Sequence, residues 1–243
     1  MLQATFRFFG ELNYFLPNNK KNISFIHHFK NRASVKDMIE SLGVPHPEVH
    51  AILVEREAVD FTYLVQDGDR LEVYPATTDI ISLLPLQPPL PPIPRFILDV
   101  HLGKLASYLR LLGFDSLYGQ NCQDEELAQI SAGEQRILLT RDQRLLMRSI
   151  VTYGYYVRAT QPDRQVREIL KRFNLFNTVR PFQRCMGCNG ILSPIEKQAI
   201  IHLLPPRTKR EFDDFYRCTN CGKIYWQGSH YQKLQQFVTE IGN

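Results

Sequence analysis

Six prolines crowd the ten residues from Pro85 to Pro94, and no other feature constrains the fold of this chain as strongly. Proline fixes φ and removes an N–H donor, so neither a helix nor a central strand can run through that segment. The expected conformation is an extended, polyproline-like spacer of about 30 Å at ~3.1 Å per residue, a semi-rigid linker between modules. The length of 243 residues fits such a division, since single domains cluster at roughly 100 to 150. Apolar residues make up 44% and charged residues 22%, which argues against collagen-like, disordered and membrane-embedded classes. No stretch of about eighteen residues is apolar and uncharged, and Met1 to Arg7 lacks the basic and apolar regions of a signal peptide. The expected setting is cytoplasmic, with no membrane partner.

The net charge of +4 hides an asymmetry. Residues 1–84 carry 8 basic and 11 acidic side chains, residues 85–243 carry 21 and 14, so the downstream part is positive by 7. A positive excess favours polyanions through phosphate contacts and counterion release.

Upstream of the prolines, Ala4 to Phe9 and Asn22 to Ile26 read as strands, rich in aromatic and β-branched residues. A helix follows, capped by Ser34 with Asp37 three residues on, its apolar face made by Val35, Met38, Ile39 and Leu42 before Gly43. Ala51 to Val54 and Arg70 to Tyr74 are further strands around a turn at Gln66-Asp67-Gly68-Asp69, giving the order ββαββ. That order, with Asp67 to Pro75, resembles the ubiquitin-like β-grasp of the ThiS and MoaD sulfur carriers over residues 1–78. Those carriers work through a terminal Gly-Gly; here Ala76-Thr77-Thr78-Asp79 runs on without glycine, so the resemblance implies a binding or scaffolding module, or a structural appendage.

From Phe96 strands alternate with helices. Phe96 to Val100 is a short apolar strand containing Asp99, and Leu102, Leu105, Ala106, Leu109 and Leu112 mark a helix that Gly113 stops. A strand near Asp115 to Tyr118, a helix from Asp124, the strand Arg136 to Thr140, the strand Tyr155 to Arg158 and a helix capped by Asp163 complete an α/β pattern with a mainly parallel sheet. Ligands of such sheets bind beyond the carboxyl ends of the strands. Asp99 and Asp142 stand at or just after such ends, and Asp124, Glu125 and Glu126 open a helix on the same rim. Gathered carboxylates repel one another unless hard cations intervene, which points to magnesium or manganese. Asp124 and Asp142 also qualify as simple helix caps.

The runs Asp99 to Asp115, Asp124 to Leu127 and Leu138 to Asp142 resemble the Mut-seven C-terminal ribonuclease domain, a PIN-like fold, over about residues 95–235. The resemblance implies an Mg- or Mn-dependent ribonuclease with Asp99, Asp142 and one or two of Asp124, Glu125 and Glu126 as metal ligands. Glu126 lies angularly nearer the apolar positions Leu127 and Ile130. Lys104, Arg110 and Arg141 become candidates for phosphate contacts, beside the plainer reading of each as surface charge.

Cys185-Met186-Gly187-Cys188 and Cys218-Thr219-Asn220-Cys221 are two CxxC knuckles with 29 residues between them, spacing that suits a closed, tetrahedral structural zinc site. Gly187 and Gly222 are placed to ease the two turns. Disulfides are the other use of such pairs, but a cytosolic chain keeps thiols reduced. The fifth cysteine, Cys122, reads as an inert thiol, with no base identifiable beside it. The stretch from Ile191 to Arg217 reads as a basic loop. Lys223 to Tyr231 interleaves base and aromatics, so Tyr225, Trp226 and Tyr231 can stack on unpaired bases while Lys223 meets phosphate, or the rings can pack over the ribbon. His230 is a candidate polar contact or general acid in the same run.

The expected architecture is therefore an α+β and α/β multidomain chain: a β-grasp module over 1–78, a proline-rich linker over 79–94, a PIN-like domain over 95–180, and a zinc ribbon with its tail over 181–243. The expected function is metal-dependent hydrolysis of RNA. The alternative is a non-catalytic RNA-binding or adaptor protein whose ubiquitin-like part recruits a protein partner.

Overall fold

The computed structural model describes residues 1–76 and 85–242. They divide into two compact units, Met1–Pro92 with Asn121–Tyr156, and Ile93–Gln120 with Val157–Asn243. Thr77, Thr78 and Asp79, where the run without glycine was noted, lie outside the described residues.

The first unit begins with a five-stranded mixed sheet made by β1 (Leu2–Phe8), β2 (Phe25–Phe29), β3 (Val49–Val54), β4 (Glu57–Val59) and β5 (Arg70–Pro75), in the order β2-β1-β5-β3-β4. The central β1 and β5 run parallel, pairing Phe6 with Leu71 and Phe8 with Val73. Strand alternation sends Ala4, Phe6 and Phe8 to the buried face; Leu71, Val73, Ile52 and, on the helix α1 (Val35–Ser41), Val35 and Ile39 are buried as well. Ser34 caps α1 as expected: its hydroxyl accepts from the Asp37 N–H at 3.1 Å and donates to the Asp37 carboxylate at 2.7 Å.

Two strands differ from their expected places. The second begins three residues later because Asn22 is a turn residue, with φ +59° and its N–H spent on the Asn13 side chain. The strand β4 was not expected, because the two-residue turn joining it to β3 is Glu55-Arg56, both at positive φ (48° and 73°). Such turns ordinarily announce themselves by Asn or Gly.

Nor does the proline stretch run free. Its donors are few, but Leu86 N–H bonds to the His50 carbonyl at 2.9 Å, and the Gln87 side-chain amide reaches the His46 and Val49 carbonyls. The Tyr153 hydroxyl donates to the Pro89 carbonyl at 3.3 Å.

The same unit holds α3 (Asp124–Gly133), β8 (Ile137–Thr140), α4 (Gln143–Leu146) and β9 (Gly154–Tyr156), which follow β6 (Phe96–Leu98), α2 (Gly103–Leu111) and β7 (Ser116–Tyr118) in the chain. β8 is buried throughout and pairs parallel with β9, Leu139 against Tyr155. β-grasp residues cover β9 from the other side. Glu48, 1% exposed, accepts a 2.6 Å hydrogen bond from the Tyr156 N–H. The ring of the buried His46 donates from Nε2 to the Val151 carbonyl at 2.8 Å, with Nδ1 2.6 Å from Glu40 Oε1. The rings of Tyr14 and Phe15 each lie 5.4 Å from that of Tyr156.

In the second unit β6 pairs parallel with β7 through the crossover helix α2. Gly113 ends that helix at φ +96°, and a Cβ there would fall 2.2 Å from the Arg180 carbonyl, so only glycine fits. The helix α5 (Pro162–Arg172) is entered through Gln161, with Pro162 in its first turn; Asp163, expected as the cap, is already helical, because the fixed φ of proline sets the start two residues earlier. Glu168 of α5 takes the N–H groups of Arg158 and Ala159, both at 2.9 Å, which keeps those two residues out of the strand expected to reach Arg158.

The ribbon is a three-stranded antiparallel sheet, β10 (Leu192–Ile195), β11 (Phe215–Cys218) and β12 (Ile224–Trp226). The expected basic loop between the knuckles is structured: β10, two short helices, α6 (Lys197–Ile200) and α7 (Pro206–Glu211), and then β11. Ile200, Leu204 and Phe215 form a small core of their own, with Trp226 packed against it. Lys197 bonds Asp213 and Arg207 bonds Glu211, so two of the loop's cations are already paired. A last helix, α8 (Ser229–Gly242), stacks Phe237 on Tyr108 at 4.4 Å and packs Tyr231 against Phe182 with tilted rings at 4.5 Å.

Candidate active site and metal centre

Asp99 follows the fully buried strand β6 and is itself 7% exposed. Its Oδ1 accepts the Val100 N–H at 2.5 Å, capping the turn that leads into α2. Asp142 lies two residues beyond β8, and its Oδ1 accepts from the Arg144 and Leu145 N–H groups at 2.7 and 3.4 Å, so it is the N-cap of α4. Its own N–H is held by the Thr140 hydroxyl at 2.9 Å.

Asp124, Glu125 and Glu126 form the exposed first turn of α3. The cap position is Gln123, which makes no side-chain capping bond, so Asp124 does not do the capping work expected of it. Glu125 is engaged by Arg148 in an ion pair and by the Gln129 amide. Glu126 sits beside Cys122, where partial burial first, and then the carboxylate, push the thiol's pKa up. The thiolate is thereby disfavoured, as an inert cysteine requires.

Of the basic candidates, Lys104 is exposed, its Nζ 5.6 Å from the Tyr108 ring centre, and Arg141 is half-buried. Arg110 is a correction. Expected among the phosphate contacts, it is 6% exposed and spends its guanidinium on three carbonyls: Nε to Ser116 at 2.8 Å, Nη1 to Met186 at 3.1 Å and to Gly187 at 2.8 Å. The helical position that reads as surface charge points inward because the first cysteine knuckle folds back over it.

The four knuckle cysteines do converge. Their sulfurs lie within 4.8 Å of one another, with Cys185 to Cys221 at 3.7 Å and Cys188 to Cys218 at 3.3 Å. Tetrahedral zinc with Zn–S bonds of about 2.3 Å sets its sulfurs about 3.8 Å apart, so the cluster has the size and donor chemistry to hold a structural zinc. In the second knuckle Gly222 takes φ +73°, as expected. In the first, the left-handed position belongs to Asn189, at φ +71°, and not to Gly187. Gly190 is required instead for space, since a Cβ there would lie 2.8 Å from Cys218 Sγ.

Asn189 also fastens the knuckle. Its amide donates to Asp115 Oδ1 at 2.9 Å and its side-chain oxygen accepts the Ser116 N–H at 3.0 Å. Arg184 adds bonds to the Gly113 and Asn189 carbonyls. Tyr225, expected to offer a face to bases, also uses its hydroxyl, 3.1 Å from Cys185 Sγ. Burial works against the Cys185 thiolate, but that hydroxyl and the N–H groups of Cys188 and Gly187 outweigh it and bring the pKa down to about 6. None of Asn189, Arg184 or the Tyr225 hydroxyl could be singled out by spacing; the Asn-Gly pair at 189–190 was the one local signal of a turn.

The fold is thus a mixed-sheet ubiquitin-like module followed by a parallel α/β part and a four-cysteine ribbon. The family model of the Mut7-C RNAse domain matches residues 94–238, and that of the Mut7-C ubiquitin matches residues 1–80. The chain belongs to the Mut7-C RNAse domain family, with the Mut7-C ubiquitin-like domain preceding it. Searches among curated proteins and among solved structures return no match. No helix among the described residues is long and apolar enough to cross a membrane.

Proposed function

We propose that this protein is a metal-dependent ribonuclease that hydrolyses RNA phosphodiester bonds through carboxylates at Asp99, Asp142, Asp124 and Glu126. The observation that carries this reading is the match of the Mut7-C RNAse domain over 94–238, a span that contains all four acids. Two further facts support it. Asp99 and Asp142 each follow the carboxyl end of a parallel, buried strand, the end at which such sheets hold ligands. Asp142 uses Oδ1 for both cap bonds, so its cap and an ion on Oδ2 are compatible. Glu126 is preferred over Glu125 because Glu125 is engaged by Arg148.

Magnesium or manganese suits hard carboxylate donors, and when bound it activates water and neutralises charge at the phosphate. The residues of the chain hold and orient: the turn at Val100 and the cap at Arg144 fix two carboxylates, and Lys104 and Arg141 would supply charge to the strand's phosphates. The zinc is structural, since four thiolates close its coordination. The ubiquitin-like module acts in cis, because its His46 and Glu48 are already engaged by residues 151–156.

Purified protein should cleave labelled RNA with Mn or Mg and lose that activity when the ion is withheld. Intact binding with no cleavage under any divalent ion would favour the adaptor reading.

A further inference from the structure

Beside the ribbon lies a cavity of about 900 Å³ formed by the 181–186 stretch, β12 and the start of α8. Its walls carry the rings of Phe182, Tyr216, Tyr225, Trp226 and Tyr231. Lys223 and His230, both exposed, stand among them, and not one Asp or Glu belongs to the lining. The amides of Gln183 and Gln227 supply donors and acceptors. Phe182 holds φ +61°, a backbone region that a bulky residue rarely adopts, and its ring packs tilted against that of Tyr231. The ribbon's small core of Ile200, Leu204 and Phe215, with Trp226 packed against it, does not draw on Phe182, Tyr216 or Tyr231, whose rings line the hollow.

Flat rings, lysine and the absence of carboxylates favour a ligand that is both planar and anionic. An apolar peptide would use the rings but not the charge, and the part of the chain that contains the cavity is positive by 7. We propose that this hollow binds single-stranded RNA, with unpaired bases stacked on Trp226 and Tyr231 and a phosphate held by Lys223. The proposal rests on the ribonuclease reading for the identity of its ligand. It adds a binding site for unpaired bases on the ribbon, whose grip is sequence-tolerant because every base offers a face to stack.

Trp226 is the single tryptophan of the chain, so its fluorescence reports on the hollow directly. The experiment titrates the full-length, zinc-loaded protein with short oligouridine or oligoadenosine, Mg and Mn withheld, against duplex RNA of equal length and an apolar peptide. Single strands should quench Trp226 saturably, and the duplex and peptide should not. Tyr231→Ala should weaken binding about 5- to 100-fold, while Tyr231→Phe, which keeps the ring, should bind as the wild type does. Lys223→Gln should reduce the slope of log affinity against log salt by about 0.7. Cleavage without any change in Trp226 emission would overturn the site and leave the ribonuclease reading standing. Saturable quenching in a protein that never cleaves would do the reverse. Quenching by the peptide and not by RNA would give the hollow to a protein ligand and overturn the proposal.

Discussion

Replacing Arg110 by Met separates a structural role from an RNA-binding one. Methionine keeps most of the side-chain volume, so the packing of α2 around this position survives, but the carbonyls of Ser116, Met186 and Gly187 lose their donor. Burial pulls the guanidinium's pKa down, against the favourable influence of Cys185, Cys188 and Asp115. Each buried acceptor left unmet costs ~1–3 kcal/mol, and since water can reach the knuckle side, about 3–5 kcal/mol in total is expected. For a chain of this size that lowers Tm by roughly 6–20 °C. The two knuckle carbonyls lie between Cys185 and Cys188, so zinc should also pass faster to a chelator. The assay is a thermal melt alongside colorimetric zinc release. A surface phosphate contact would behave differently, with stability changed by less than ~0.5 kcal/mol. An R110M protein that melts within about 2 °C of wild type and binds RNA more weakly would refute the structural assignment.

Glu48→Ala strands the buried Tyr156 N–H and should cost ~1–3 kcal/mol, read as an earlier melt; an unchanged melt would contradict the cis contact. A chain beginning at residue 95 loses that cover over Tyr156 and should be less soluble and melt earlier than the full chain. Asp142→Asn should abolish cleavage at wild-type stability, since Asn caps as well as Asp, whereas Asp142→Ala should also lose ~1 kcal/mol; equal melts for the two would remove the cap from the account. Elemental analysis should give about one zinc per chain, and Cys218→Ser should lower both zinc content and Tm; a zinc-free protein that melts normally would eliminate the metal.

What the sequence made legible was whatever depends on local pattern. The alternation in β1, the cap at Ser34, the stop at Gly113 and the paired CxxC knuckles each have a short-range cause, and each was readable. The β3–β4 turn was not, because Glu55 and Arg56 take positive φ with none of the residues that signal it. Long-range partners were equally hidden. Nothing in the sequence around Arg110 says that Met186 and Gly187 will arrive above it, so a buried tether read as a surface cation. His46 and Glu48 carry no local signal either, because their partners are backbone atoms about a hundred positions away. The proline stretch was recognised as a boundary, but the Leu86 and Gln87 donors that anchor it to its neighbours were overlooked. The aromatic run at 225–231 offered two readings, base stacking and packing over the ribbon; Trp226 packs on the ribbon core and also lines the hollow, and base stacking there stays a proposal.

The central claim is that carboxylates at Asp99 and Asp142 carry RNA hydrolysis. The most direct measurement is cleavage of labelled single-stranded RNA by wild type, Asp99→Asn and Asp142→Asn, each with Mn or Mg present. Asparagine retains the oxygen that accepts from Val100 in one case and from Arg144 in the other, so both variants should fold and bind RNA as wild type does. The account predicts metal-dependent cleavage by wild type and none above background by either variant. Wild-type rates from folded Asp99→Asn and Asp142→Asn proteins would contradict it.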